Sequence, residues 1–296
     1  MPREHMHPTP SRNGGSVASR LIRCGRYRVR IERRPLIMGI LNVTPDSFSD
    51  GGRFVSPRAA LEHGLAMVED GADLLDVGGE STRPGSRPVP LGEELRRTIP
   101  VIERLAKRVR LPIAVDTTKA EVARRALEAG ASIVNDTSAL RDDPEMLELL
   151  AAREAAVILM HRAGTPRTMQ RHAAYGDVVE EIAAFLSRRA MTACRAGVDA
   201  SRIVLDPGIG FGKTLAHNLA LLRGLHQLLA LGYPILLGPS RKSFLGTLLG
   251  APVEDRLAGT LACLAAAMRQ GVHIVRVHDV RPAAQLLRTL EAIEAA

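Results

Sequence analysis

Several short phrases in this chain place hydrogen-bonding or charged side chains directly after apolar runs. Asp116 follows Ile113-Ala-Val, Asn135 and Asp136 follow Ile133-Val134, Asp206 follows Ile203-Val-Leu, and Lys242 closes Gly238-Pro-Ser-Arg-Lys. Two carboxylates and an amide gathered at one place would accept hydrogen bonds from a donor-rich heterocycle. Asp116 precedes Thr117-Thr118 and could equally cap a helix, but the company of Asn135 and Asp206 favours a site. Arg276 and His278 are two residues apart in Ile274-Val-Arg-Val-His-Asp279, so on a strand they share a face and suit an anion. Asp206-Pro-Gly-Ile-Gly-Phe-Gly-Lys-Thr214 resembles a phosphate loop but fails both tests. A Walker loop needs glycine where Pro207 stands, and the even glycine spacing misses the dinucleotide fingerprint. The plainer reading is a tight loop that brings Asp206 and Phe211 close to a flat ligand. His161 reads as structural, with Met160 as apolar lining. No Cys/His cluster has zinc spacing.

The elements that must position these groups repeat one unit. Leu36–Leu41, Leu74–Val77, Ile113–Val115, Ile133–Val134, Val157–Met160, Ile203–Leu205, Ile235–Leu237 and Ile274–Val277 are short apolar runs that end in glycine or a polar residue. Amphipathic stretches separate them, such as Leu61, Leu65 and Val68, or Ala284, Leu287, Leu290 and Ile293 after the last run. Eight such units in a chain of 296 residues predict an α/β fold, a (β/α)8 TIM barrel, preceded by a short N-terminal β-hairpin near Leu21 to Ile31. The polar residues after the runs then all face one mouth. An open doubly wound sheet is the rival, but it gathers ligands at one switch point and leaves chemistry at every strand end unexplained. At the first strand end, Asn42 to Gly52 brings an amide, two carboxylates and three hydroxyls beside Pro45, which interrupts pairing, and Gly51-Gly52, which supplies a hinge.

Composition excludes other classes. With 46% hydrophobic residues the chain buries a large core, and no apolar run reaches bilayer length. The start of the chain has no stretch resembling a signal peptide, and Cys24, Cys194 and Cys263 are odd in number and scattered, so a cytoplasmic location is expected. Of the net charge of +8, +7 arises from residues 1–34, with nine arginines against Glu4 and Glu32. Residues 1–19 read as a disordered basic leader and 20–296 as one domain, without nucleic-acid or membrane partners. Arginine outnumbers lysine 36 to 4, yet Lys119, Lys213 and Lys242 lie just after strand ends, where a compact ammonium differs from a planar guanidinium.

From about Leu21 onwards the chain resembles the dihydropteroate synthases. The matching phrases are GILNVTPDSFSDGG, DVGGESTRPG, VDTTK, IVND, LMHRAGTPRTMQ, LDPGIGFGK, GPSRKSF and IVRVHDV, in family order. The resemblance implies a transferase of folate biosynthesis that joins p-aminobenzoate to hydroxymethyl-dihydropterin pyrophosphate by a dissociative substitution. It further implies Mg2+, a homodimer and a sulfonamide target. Carried over, Asp116, Asn135, Asp206 and Lys242 are expected to bind the pterin, with Met160 and Phe211 lining its pocket. Asn42 is the expected metal ligand, and Thr82, Arg276 and His278 the contacts to the pyrophosphate. Phe48, Arg83, Pro84 and Ser243 fall at the p-aminobenzoate site, formed with loops 42–56 and 79–91. Asp116, Lys242, Arg276 and His278 are the expected catalytic set. Thr137 departs from the family pattern, where an apolar or small residue is usual. Two rival readings are a methyltetrahydrofolate methyltransferase, which would lack the 42–52 phrase and Ser-Arg-Lys, and a catalytically silent pterin-binding paralogue.

Overall fold

The computed structural model describes residues 20–44, 57–81, 85–165, 167–169 and 173–296. The basic leader and the loop positions Phe48, Thr82, Arg83 and Pro84 lie outside these residues. The expected hairpin forms from β1 (Arg20–Cys24) and β2 (Tyr27–Ile31), paired antiparallel. Its turn is made by Gly25 at φ 56°, a left-handed conformation that glycine adopts without a Cβ clash.

Eight parallel strands follow: β3 (Leu36–Asn42), β4 (Leu74–Gly78), β5 (Ile113–Asp116), β6 (Ile133–Asp136), β7 (Ala156–Met160), β8 (Ile203–Asp206), β9 (Leu236–Leu237) and β10 (Ile274–Val277). They lie in the order β8-β7-β6-β5-β4-β3-β10-β9, and a parallel bridge between Leu205 and Ile235 joins the two ends into a barrel. The helices that cover it include α1 (Pro57–Glu69), α2 (Leu91–Ala106), α3 (Ala120–Glu128), α4 (Glu145–Ala151), α5 (Val178–Arg195), α6 (Leu215–Arg223), α7 (Leu225–Leu229), α8 (Ser243–Leu249), α9 (Leu257–Arg269) and α10 (Val280–Ala295).

Strand alternation divides the core into two clusters. Ile37, Leu75, Val115, Val134, Val157, Leu205 and Val275 face outward and pack with the helices. Their neighbours Met38, Leu74, Ala114, Ile133, Ile158, Val204 and Ile274 face inward, where Ile22, Cys24 and Ile31 of the hairpin join them. The hairpin therefore stoppers the barrel end at which the strands begin. Two residues further along the same inward faces, the apolar layer gives way to Asp76, Asp116, Asn135, Met160, Asp206 and Arg276. One periodicity thus builds both the dry floor and the polar mouth.

Candidate active site

Burial makes the mouth unusual. Asp76 is fully enclosed, and Asp116, Asn135 and Asp206 are at most 5% exposed. Their negative charge is held by one guanidinium. Arg276 Nε donates to Asp76 Oδ2 at 2.6 Å and Arg276 Nη2 to Asp116 Oδ2 at 2.8 Å, while Asn135 Nδ2 donates to Asp76 Oδ2 at 2.9 Å. Burial pushes the Asp116 carboxyl up to about 7 against the pull of Arg276, and pushes Asp206 up to about 6 against the Gly208 N–H that it accepts. Asp116 caps no helix, since α3 begins only at Ala120.

Asp116, Asn135, Met160, Asp206, Phe211, Lys242 and Arg276, all expected at the site, line one recess of about 310 Å³ together with Thr137 and Gly208. Two acceptor atoms of this lining, Asp116 Oδ1 and Asn135 Oδ1, are buried without a hydrogen-bond partner among the described residues, as is Asp76 Oδ1 on the fully enclosed carboxylate that Arg276 and Asn135 contact. In a folded protein such atoms are normally paired, because each unmade bond costs about 1–3 kcal/mol. The recess is therefore shaped to receive N–H groups. Lys242 Nζ sits 3.9 Å from the centroid of the Phe211 ring, a cation over an aromatic face.

The Ser-Arg-Lys turn explains how Lys242 reaches the recess. Arg241 adopts φ 54°, its backbone N–H donates to Thr260 Oγ1 at 3.0 Å, and its guanidinium makes a paired contact with Asp279. A left-handed arginine anchored on both sides reverses the chain between two basic residues, one set on Asp279 and the other on the recess. Ser243 follows as the exposed first residue of α8. The facing loop owes its shape to Lys213, whose buried ammonium donates to Gly208 O at 2.8 Å, Phe211 O at 3.0 Å and His161 Nδ1 at 3.1 Å. Burial lowers Lys213 to about 7 and His161 to about 2, so the imidazole is a neutral acceptor inside the loop. Gly208 is required here, because a Cβ at its position would stand 1.9 Å from the His161 carbonyl oxygen.

Arg276 and His278 do not form a free anion pair. His278 lies outside the recess lining, burial lowers it to about 3, and it is tied to Ser240. Ser240 Oγ accepts from the His278 backbone N–H at 3.1 Å and lies 3.0 Å from His278 Nδ1. The contact to Nδ1 holds the ring in place, and the imidazole is neutral. Asn42 is half-buried at the end of β3, with Oδ1 3.6 Å from where a Cβ of Gly78 would lie.

Sequence reasoning passed over Asp76 by reading Leu74–Val77 as an apolar strand. It also gave no role to Glu94, a fully buried helix residue that accepts from Thr117 Oγ1 at 2.6 Å and pairs with Lys119, which in turn reaches Glu80. A charge at an inward position of a buried strand was the available signal for Asp76.

Known proteins resemble this chain over most of its length. Residues 38–278 match the model of the pterin binding enzyme family. The dihydropteroate synthase of Synechocystis sp. is 49% identical over 88% of this chain and 91% of its own. Among solved structures, Xanthomonas albilineans dihydropteroate synthase with 4-aminobenzoic acid superposes with a TM-score of 0.88 at 46% identity, covering 94% of this chain and 99% of that one. The same enzyme in complex with 7,8-dihydropteroate gives 0.80 at 45% identity, covering 89% and 95%.

Proposed function

The chain belongs to the dihydropteroate synthase family of pterin-binding enzymes, and on that footing we propose that it joins p-aminobenzoate to hydroxymethyl-dihydropterin pyrophosphate, releasing pyrophosphate. The observation that carries this reading is the pair of unpartnered acceptors on Asp116 and Asn135, enclosed beside the Lys242–Phe211 pair. A flat pterin presents several N–H groups along one edge and a π-face to stack, which is what the recess lacks.

The chemistry then follows from charge. Departure of pyrophosphate leaves a pterin cation, and the Asp116 carboxylate, fixed against Arg276, is a preorganised anion beside it. The p-aminobenzoate amine attacks that cation. Arg276 supplies the fixed positive charge at the mouth, and His278 supplies a neutral imidazole toward the departing group. Phe48, Thr82, Arg83 and Pro84 are assigned to the two loops that exclude water, which would otherwise capture the cation. Ser243, exposed at the start of α8, is assigned to the p-aminobenzoate side.

Asn42 suits Mg2+. No cluster of three or more metal-binding His, Cys, Asp or Glu side chains occurs among the described residues. A single amide oxygen at the mouth matches a cation that keeps most of its waters and is otherwise held by substrate phosphates. When bound there, the ion would neutralise charge on the leaving pyrophosphate. The exposed side chains of Leu248, Leu249 and Val253 at the end of α8 support a homodimer. No helix among the described residues is long and apolar enough to cross a membrane, and we assign the enzyme to the cytoplasm.

Mixing both substrates with Mg2+ and following pyrophosphate tests the activity. Stoichiometric release with dihydropteroate formation is expected; pterin binding without release would instead identify a silent paralogue.

A further inference from the structure

Thr137 stands beside the pterin recess in an environment that leaves its hydroxyl without a structural task. It lies in the turn that follows β6, two positions after Asn135 at the same barrel mouth. It is 3% exposed and lines the recess that holds Asp116, Asn135 and Lys242, as well as a second, wider recess next to it. Its Oγ1 has no hydrogen-bond partner among the described residues. A buried threonine normally satisfies its hydroxyl on a nearby carbonyl; here the desolvation cost is met and no bond is returned.

The neighbouring unpartnered atoms are Asp116 Oδ1 and Asn135 Oδ1, the first an acceptor whenever the carboxyl is ionised and the second an acceptor always. The edge of a pteridine alternates N–H groups with ring nitrogens that carry lone pairs. Lys242 and Arg276 line the same recess and donate as cations, and the Thr137 hydroxyl adds to them a neutral donor set beside the acceptors. We propose that Thr137 is a specificity-determining residue of the pterin site, its hydroxyl donating a hydrogen bond to a ring nitrogen of the bound heterocycle. The inference rests on the pterin reading of the recess and adds to it a contact that an apolar residue at this position cannot make.

Thr137→Val keeps the shape of the side chain and removes only the hydroxyl, whereas Thr137→Ser keeps the hydroxyl. Titration calorimetry with 7,8-dihydropteroate is expected to show binding about tenfold weaker in Thr137→Val and within about twofold of wild type in Thr137→Ser. Differential scanning calorimetry of the ligand-free proteins is expected to give Thr137→Val a melting temperature equal to or above that of wild type, since an unpaired hydroxyl has been removed. Thr137→Val binding within about twofold of wild type would overturn the inference alone. A lowered melting temperature of ligand-free Thr137→Val would also overturn it, because the hydroxyl would then have a structural partner. Failure of the wild-type protein to bind 7,8-dihydropteroate would overturn the pterin reading, and this inference with it.

Discussion

Asp76 is the most exacting test of the site, because two effects of opposite sign meet on it. In Asp76→Asn the side chain keeps its shape, but one of its oxygens becomes an amide NH2 group. Asp76 Oδ2 now accepts from Arg276 Nε at 2.6 Å and from Asn135 Nδ2 at 2.9 Å with no exposure to solvent, so an amide there cannot accept both bonds as a carboxylate does. Removing one partner of a buried ion pair costs about 3–5 kcal/mol. Against this, the variant removes one of two buried anions that repel each other around a single guanidinium. Arg276 keeps Asp116 at 2.8 Å, so its charge is not left without a partner, and we take the balance as a loss of about 2–3 kcal/mol. Urea unfolding of the ligand-free protein measures it. The same variant carries a signature in pH. The negative charge of Asp76 helps to raise the Asp116 carboxyl to about 7, so neutralising it lowers that value and keeps Asp116 ionised in more acidic solution. Pterin binding, which weakens as Asp116 protonates on the acid side, should therefore persist to lower pH in Asp76→Asn than in wild type. Equal or greater stability combined with an unmoved acid limb would show that Asp76 repels more than it anchors, and would refute this account of the mouth.

Other residues give separable outcomes. Asp116→Asn should retain measurable pterin binding, because the amide still lines the recess, but lose turnover in the pyrophosphate-release assay; wild-type turnover would rule out an electrostatic role for the carboxylate. Lys213→Arg should lose about 2–4 kcal/mol in urea, since three acceptors converge on one compact ammonium and a planar fork cannot occupy the same point; a wild-type midpoint would refute this. Gly208→Ala and Gly232→Ala both place alanine at positive φ, at 66° and 84°, but only the first meets a carbonyl oxygen, and nothing lies within 4 Å of the second. Thermal melts should show Gly232→Ala costing about 1–2 kcal/mol from backbone strain alone and Gly208→Ala costing more than that; equal losses would argue against the close contact with His161.

The barrel was legible because one rule governs both of its layers. Inward positions in a parallel barrel must be apolar until the strand reaches the mouth, so Ile133 to Asn135 and Val204 to Asp206 announce their own transition from core to site. The same rule places Asp76 two residues after Leu74, yet its apolar neighbours Leu75 and Val77 hid it inside a run that reads as core. What identifies Asp76 as part of the site is Arg276, 200 positions away in sequence, and no local pattern encodes that pairing. Glu94 was hidden for the opposite reason: an acid in the first turn of a helix usually favours the helix dipole and water, and only the tertiary approach of Thr117 and Lys119 buries it. His278 shows how far residue type can mislead about charge. Two basic side chains on one strand face suggest two cations, but burial at the barrel rim and the nearby charges of Arg276, Arg241 and Lys242 hold the imidazole neutral, so the mouth carries its positive charge on Arg276 and Lys242. Two fixed cations set among Asp76, Asp116 and Asp206 leave the ligand-free mouth with acceptors to spare, and that surplus selects a ligand rich in N–H donors.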